Sequence, residues 1–543
     1  MHDGTVRLRG AVVNTQLLIG GRIYSSSSPD ATAMAVADGT VVWLGAERPG
    51  RALHPDAEII DLDGAFVAPA FVDPHVHVTA LGLKLTGLDL SVARSLEHCL
   101  TLLRDFAAAR PEGAILGDGW DETTWPEGRP PTVEEIDKAA GARHVYLSRV
   151  DAHSAVVSSA LLDALPQVRA ADGFTRGEPV RAAAHHLVRT TVLAELDRAQ
   201  RDRARAAALD HAAAHGIVAV HECAGPEISG RTDVRELLEF RHGVEVRAYW
   251  GEAVRSAEQA RALVAELGVH ALGGDLFVDG SFGSHTAWLR EDYADQPGTG
   301  RSYLDAEAIA AHIRACTEAG IQAGFHVIGD AAMDAVVAGF DRVVGEFGGP
   351  AVAALGHRVE HAELLDAAQI GKLAAWGVLA SVQPGFDAAW GGADGMYAAR
   401  LGATRAAALN PFAAMAAAGI ALAVGSDAPV TPLDPWSAVR AAAHHRTPGH
   451  GLSPRAAFAA ATRGAWRAGG VRDGIAGTLV PGAPASYAVW DADDLVVAAA
   501  ADSVQRWSTD PRSRVPGLPP LQPGSALPQC LRTVHRGETI YTA

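Results

Sequence analysis

The chain has 543 residues, 48% hydrophobic and 20% charged, with only four cysteines; these are globular values at several times the usual domain length, and they exclude a disulfide-stapled module and wholesale disorder. Lysine and arginine total 46 against 63 aspartates and glutamates, and the resulting net charge of -17 repels a phosphate backbone or an anionic lipid surface, so no nucleic acid and no membrane is expected as a partner. Cys99, Cys223, Cys316 and Cys530 are widely spaced without a C-x-x-C pair, the opening residues carry no basic-then-apolar leader pattern, and no uncharged apolar run reaches about 18 residues. The expectation is a cytoplasmic protein with reduced thiols.

The first segment alternates apolar and polar residues in TQLLIGGRIY, AMAVADGTVVWLG and AEIIDLDGAFVAP, which read as strands joined by Gly-Gly and Asp-Gly turns. The far end repeats the style in GTLVPGAPASYAVWD, DLVVAA and TVHRGETIYTA. A β-sandwich built from both chain ends, residues 1–68 and 478–543, is therefore expected to bracket a central domain at 69–477. SSSSPD near Ser25 and the proline-rich stretch near Pro511 read as surface loops.

Between the ends, alanine-rich helical stretches alternate with short β-rich runs, the mark of parallel βαβ units. Eight such runs finish on a polar residue: FVDPHVH, IVAVHE, VEVRAYW, DLFVDG, QAGFHV, HRVEHA, VLASVQP and IALAVGSD. The fold class expected is α/β, a (β/α)8 TIM-like barrel, in which catalytic side chains sit at the C-terminal strand ends. Residues from about 84 to 200 are too long for one βα connection and are expected to form an insertion subdomain after the first barrel strand.

The chemistry concentrates at those strand ends. His75 and His77 are two apart on a strand and so face one way, as a pair able to bind one ion. His326, His361 and Asp427 each end another apolar run. Together they form a nitrogen-and-oxygen ligand set of the kind that suits Zn2+ or a similar divalent ion. No phosphate-binding G-x-x-x-x-G-K-[ST] loop, G-x-S-x-G elbow or H-E-x-x-H helix is present, so nucleotide hydrolysis, serine esterase chemistry and zincin proteolysis lack their working parts.

Weaker candidates for substrate binding are Trp120, Asp121, Trp125 and His153 in the insertion, His221 after the second apolar run, and Gln383 in SVQP. For the tryptophans, a place in the core of the insertion is an equal alternative, and for His221 a satisfied core pair with Glu222. Glu360 is expected to point away from the face used by His361, and Arg358 to pair with an acid.

Taken together, VAPAFVDPHVH, GWDETTWPEGRPPT, SRVDAHSA, FVDGSFGSHTA, HVIGDAAMD, HRVEHA, SVQP and GSDAPV resemble the amidohydrolase superfamily of metal-dependent hydrolases, within it the YtcJ-like branch that includes N-substituted formamide deformylases. The resemblance spans nearly the whole chain. It implies a barrel with a split β-sandwich and hydrolysis of a C–N bond, an amide or N-substituted formamide, in a small molecule. It assigns His75 and His77 as first-strand ligands, His326 and His361 as the fifth- and sixth-strand histidines, and Asp427 as the eighth-strand carboxylate acting as base.

The chain departs from that pattern on the fourth strand, where Asp275 stands in place of a lysine able to carry a bridging carbamate. Aspartate is several bonds shorter, so one zinc ion held by His75, His77, His326 and Asp427 is favoured over two. His361 is then a further ligand or a group polarising the carbonyl, and Asp275 and Asp279 are structural acids or a bridging ligand. Alternatives on the same site are a deaminase or a hydrolase of cyclic amides or carbamates, and, from another class, a metal-holding homologue without activity. A homodimer is in keeping with the resemblance.

Overall fold

The structure, a computed structural model, describes residues 15–497 and 516–543. The end of the DLVVAA run and the first part of the loop expected near Pro511 lie outside the described residues. The N-terminal segment forms β1 (Thr15–Ile19), β2 (Arg22–Ile23), β3 (Ala33–Ala37), β4 (Thr40–Gly45), β5 (Glu58–Asp61) and β6 (Phe66–Pro69). β4, β3, β1 and β5 make one sheet in that order, with β1 antiparallel to β3 and parallel to β5.

β7 (Phe71–Val76) follows after a single residue and is buried along its whole length. It is the first barrel strand. The chain then leaves for the insertion, whose strands β8 (Leu88–Asp89), β9 (Ile115–Trp120), β10 (Val145–Arg149), β11 (Ser154–Val157) and β12 (Val180–Arg181) form their own five-stranded sheet. Its helices are capped by local chemistry: Ser95 accepts the His98 amide, and Thr132 and Glu135 form a reciprocal capping box.

The barrel resumes with the helix Arg198–Ala214, the alanine-rich stretch read from the sequence, which runs into β13 (Ile217–Ala224). β14 (Glu245–Trp250), β15 (Gly324–Val327), β16 (Arg358–His361), β17 (Leu379–Val382) and β18 (Leu422–Val424) complete the regular strands. β14, β13 and β7 form one parallel sheet, and β15 to β18 another. A parallel bridge from Val76 to Ala428 joins them on one side. On the other side the fourth position is filled by an irregular segment, held by parallel bridges Tyr249 to Ala271, Leu272 to Ala323 and Phe277 to His326. The fold is TIM-barrel-like, with a ladder too broken in the fourth place to be a strand. Gly273 and Gly274 explain the break. A Cβ on Gly273 would stand 2.4 Å from Gly324, so the segment lies directly against β15, and Gly274 adopts φ +68°, the left-handed region glycine enters without strain.

The chain ends in β19 (Tyr487–Asp491), β20 (Gln529–His535) and β21 (Glu538–Thr542). β19 pairs antiparallel with β6 on one side and β20 on the other, in a sheet ordered β2, β6, β19, β20, β21. Leu18, Met34 and Val41 from the first sheet share a buried cluster with Val67, Tyr487 and Val534 from this one. Phe71 ties the barrel floor to these strands: its ring meets Trp436 at 5.1 Å, Phe458 at 5.3 Å and Trp490 at 5.9 Å, all edge-on. Such pairs contribute about 0.5–1.5 kcal/mol each beyond the apolar area they bury. All four cysteines are buried and unpaired. Among the described residues, no helix is long and apolar enough to cross a membrane.

Candidate metal centre

The C-terminal ends of the barrel strands converge on one buried cluster. His75 Nε2 lies 3.4 Å from Asp275 Oδ1 and 3.4 Å from Asp427 Oδ1. His77 Nε2 lies 3.3 Å from Asp275 Oδ2 and 3.2 Å from Asp427 Oδ1. His326 Nδ1 is 3.4 Å, and His361 Nε2 3.8 Å, from Asp275 Oδ1. Ligand atoms about 2.0–2.2 Å from a tetrahedral ion are separated by about 3.3–3.6 Å, so these spacings are those of a coordination sphere.

The backbone is bent to bring this about. His361 and Asp427 both adopt positive φ, +67° and +56°, at the ends of their runs, which turns their side chains inward. The Asp427 amide donates to the His75 carbonyl at 2.9 Å, locking the eighth strand end to the first. Asp73 adds a second tie by accepting the amides of His75 and Ser426 at 3.1 Å each. Burial pushes this carboxyl up to about 6.

Each outer nitrogen decides which inner nitrogen faces the cluster. His75 Nδ1 meets Glu360 Oε2 at 2.9 Å, His361 Nδ1 meets Gln383 Oε1 at 2.8 Å, and His326 Nε2 meets the Gly280 carbonyl at 3.2 Å. What is left over is diagnostic. His75 Nε2, His326 Nδ1, His361 Nε2, Asp275 Oδ1 and Asp427 Oδ1 are all buried without a hydrogen-bond partner. Orphaned donors and acceptors of this kind are costly unless something satisfies them, and five that converge fit a divalent cation. The electrostatics agree. Burial opposes a charge on His77, yet the neighbouring Asp275 and Asp427 carboxylates outweigh it and push that imidazole up to about 9. The two carboxylates thus draw positive charge into the cluster.

Asp275 is the residue whose placement differs most from expectation. Its side chain was expected to be too short to serve two ions, with a structural acid or a bridging ligand left open; it touches all four histidines, on the irregular fourth segment. Groups close enough to share an ion are His75, His77 and Asp275; His75, His361 and Asp427; Asp275, His326 and His361; and His75 with Cys223 and Glu360 behind it. The donors therefore spread over more than one point, with one Asp275 oxygen toward His77 and the other toward His75, His326 and His361. Asp279, four residues on, is a structural acid that accepts the amides of Trp288, Ile328 and Gly329.

Beside the cluster opens a cavity of ≈ 120 Å³. His77, Asp275, His326 and Asp427 form its floor, and Leu83, Leu116, Phe277 and Val430 are among its apolar walls. A second lobe of ≈ 30 Å³ continues past His361 toward Phe386 and Trp390. His153, delivered by the insertion, borders both lobes and packs 5.3 Å from the His326 ring. Its loop is pinned by Asp151, which accepts the Ser281 and Ser284 hydroxyls and pairs with Arg149.

The other substrate-binding candidates lie elsewhere. Trp120 donates to the Leu147 carbonyl and Trp125 to the Ala93 carbonyl, both in the core of the insertion and away from the cavity. Asp121 caps the turn before Trp125 and accepts from Trp390 Nε1 at 3.3 Å, linking the insertion to the barrel. His221 is buried in the barrel interior against Arg358, and Gln383 sits behind His361. Glu360 does not point away from the site: it and Arg358, two apart on β16, face the barrel interior, while His361 reaches the cluster through its positive φ. Alternation in HRVEH pairs Arg358 with Glu360 on one face, but the turn of His361 onto that side comes from its positive φ, which the sequence does not show.

A family model described as "Amidohydrolase family" matches residues 58–541. The chain is 29% identical to the putative amidohydrolase YtcJ of Bacillus subtilis, with 78% of this chain and 82% of that protein covered. It is 25% identical to N-substituted formamide deformylase of Arthrobacter pascens, with 77% and 82% covered. Among solved structures, a metal-dependent hydrolase from Pyrococcus furiosus matches with a TM-score of 0.67 at 27% identity, covering 88% of this chain and 99% of that one.

Proposed function

The chain belongs to the amidohydrolase family, in its YtcJ-like branch, and from that premise we propose that it hydrolyses a carbon–nitrogen bond of a small amide or N-substituted formamide, using zinc ions held by the buried cluster. The observation that carries this reading is the convergence of five unpartnered buried polar atoms beside a cavity of ≈ 120 Å³. In our reading His75, His77, Asp275 and Asp427 would hold one divalent ion, and His326 and His361, with Asp275 again, would hold a second. This reading departs from the one-ion expectation because Asp275 faces all four histidines, His77 through Oδ2 and His75, His326 and His361 through Oδ1. Bound there, a divalent cation supplies the Lewis acidity that makes water a competent nucleophile near neutral pH.

The residues of the chain do the remaining work. The apolar walls exclude bulk water and seat the body of the substrate with its carbonyl carbon over the floor of the cavity. The Asp427 carboxylate accepts the proton of the attacking water as the new O–C bond forms. It then returns that proton to the departing nitrogen as the C–N bond breaks, leaving a carboxylic acid and an amine. His153 lines the same cavity as this carboxylate, and in our reading its ring N–H donates to the carbonyl oxygen as negative charge develops on it. Turnover of a panel of N-substituted formamides and simple amides, with amine and acid products quantified before and after chelation, tests the proposal. Chelator-sensitive release of amine and acid in equal amounts supports it. Release of ammonia from a ring substrate, with none from amides, would overturn the choice of bond.

A further inference from the structure

Directly behind His75 the barrel interior holds a chain of charged and polar side chains with almost no solvent contact. Glu360, Arg358, His221 and His75 are each 0% exposed. Arg358 grips Glu360 twice, Nε to Oε1 at 2.5 Å and Nη2 to Oε2 at 2.8 Å, and donates in addition to the Pro74 carbonyl. Its Nη1 meets His221 Nδ1 at 3.1 Å, and its guanidinium lies 4.5 Å over the Tyr249 ring. The free side of Glu360 Oε2 meets His75 Nδ1 at 2.9 Å.

A fully buried ion pair is a poor way to stabilise a core. Hydrophobic residues of similar volume commonly do as well or better, because the charges must first be stripped of water. The pair does one thing that packing cannot: it presents a carboxylate to one face of a buried imidazole. A carboxylate is an acceptor, so the His75 proton sits on Nδ1 and the lone pair of Nε2 is turned toward Asp275 and Asp427. The other histidines have weaker arrangements. His326 and His361 lean on a neutral carbonyl and a neutral amide, and His77 Nδ1 has no hydrogen-bond partner. Only His75 is backed by a carboxylate with its own guanidinium. β16 thus supplies His361 to the cluster and, one residue earlier, the support for a histidine on β7.

We propose that Glu360, held in place by Arg358, is a positioning residue that fixes the tautomer and orientation of His75 and thereby sets the affinity of the cluster for its cation. This rests on the metal-site reading above. The experiment is a competition titration of metal-stripped protein with Zn2+ against a chromophoric chelator, alongside thermal melting, with the Co2+ absorption spectrum as a second readout. Glu360→Leu alone leaves Arg358 buried without a counter-charge and is expected to fold poorly, so the comparison is made in an Arg358→Met background.

Arg358→Met/Glu360→Leu removes both charges and the acceptor. We expect it to melt close to wild type while binding Zn2+ about 10–100-fold more weakly, with an altered Co2+ spectrum. Arg358→Met/Glu360→Gln restores an uncharged acceptor for His75 Nδ1 and is expected to recover most of the affinity. Wild-type affinity in the folded Leu double variant would overturn the inference and leave the pair a packing feature. Equal losses in the Leu and Gln doubles would also overturn it, because the acceptor would then be immaterial. Wild-type protein that binds no Zn2+ would overturn the metal-site reading itself, and the inference with it.

Discussion

Asp275 Oδ2 stands 3.3 Å from His77 Nε2 while the other oxygen of the same carboxylate faces His75, His326 and His361. One short side chain thus touches every histidine of the cluster. Asp275→Ala should therefore cost the protein more metal than loss of any one histidine. We expect elemental analysis after dialysis to show one equivalent or less in this variant. Full wild-type content in Asp275→Ala would remove the residue from the site.

Asp427 is held from two directions, its amide on the His75 carbonyl and its own carbonyl on the Val430 amide. Asp427→Asn preserves this frame and the side-chain volume but removes the proton acceptor. A fall in kcat of about 10²–10⁴ is expected, with at least part of the metal retained. Near-normal kcat in this variant would show that another group takes the proton.

His153 borders both lobes of the cavity without belonging to the cluster. His153→Phe keeps the ring volume and removes the donor. Loss of a single donor to a developing oxyanion costs about 10²–10³ in rate, so kcat should fall by that order with metal content unchanged. A rise in KM alone, with kcat intact, would make His153 a binding residue only.

Glu245, on β14, meets His535 at 3.6 Å and Arg536 at 3.2 Å, joining the barrel to the C-terminal strands. The imidazole of His535 beside it, with help from Arg247 and Arg536, lowers this carboxyl to about 2. A depressed carboxyl stabilises the fold fully above its unfolded value near 4.5 and loses that contribution as pH falls through the folded value. After allowance for solvent screening the effect is about 1 kcal/mol. Glu245→Gln should lower the melting temperature at pH 7 and show a smaller difference from wild type at pH 2–3. Equal destabilisation at both pH values would mean the contact is one of packing.

The barrel was legible because its signals are local. Eight apolar runs ending in polar residues gave seven regular parallel strands and one irregular segment, and Asp305 and Gly320 bound the helix before β15 where the alanine-rich stretch predicted it. His75, His77, His326, His361 and Asp427 were legible for the same reason, as titratable groups ending otherwise apolar runs. The reach of Asp275 was not, since it depends on how closely Gly273 passes β15, a contact between segments far apart in the chain. Strand alternation also misled at Glu360, because the positive φ of His361 breaks the alternation at that step. For Trp120 and Trp125 the sequence left pocket lining and the insertion core as equal readings, and their indole hydrogen bonds to backbone carbonyls put them in the core.

The central claim is that the buried histidines and carboxylates form a cation site that drives hydrolysis. Calorimetric titration of metal-stripped protein with Zn2+, with amide turnover assayed at each point, tests it most directly. Two equivalents bound per chain are expected, with activity returning as they bind. Binding of a single equivalent would rule out a second ion on Asp275, and no binding at all, with turnover indifferent to Zn2+, would rule out the metal-dependent hydrolase.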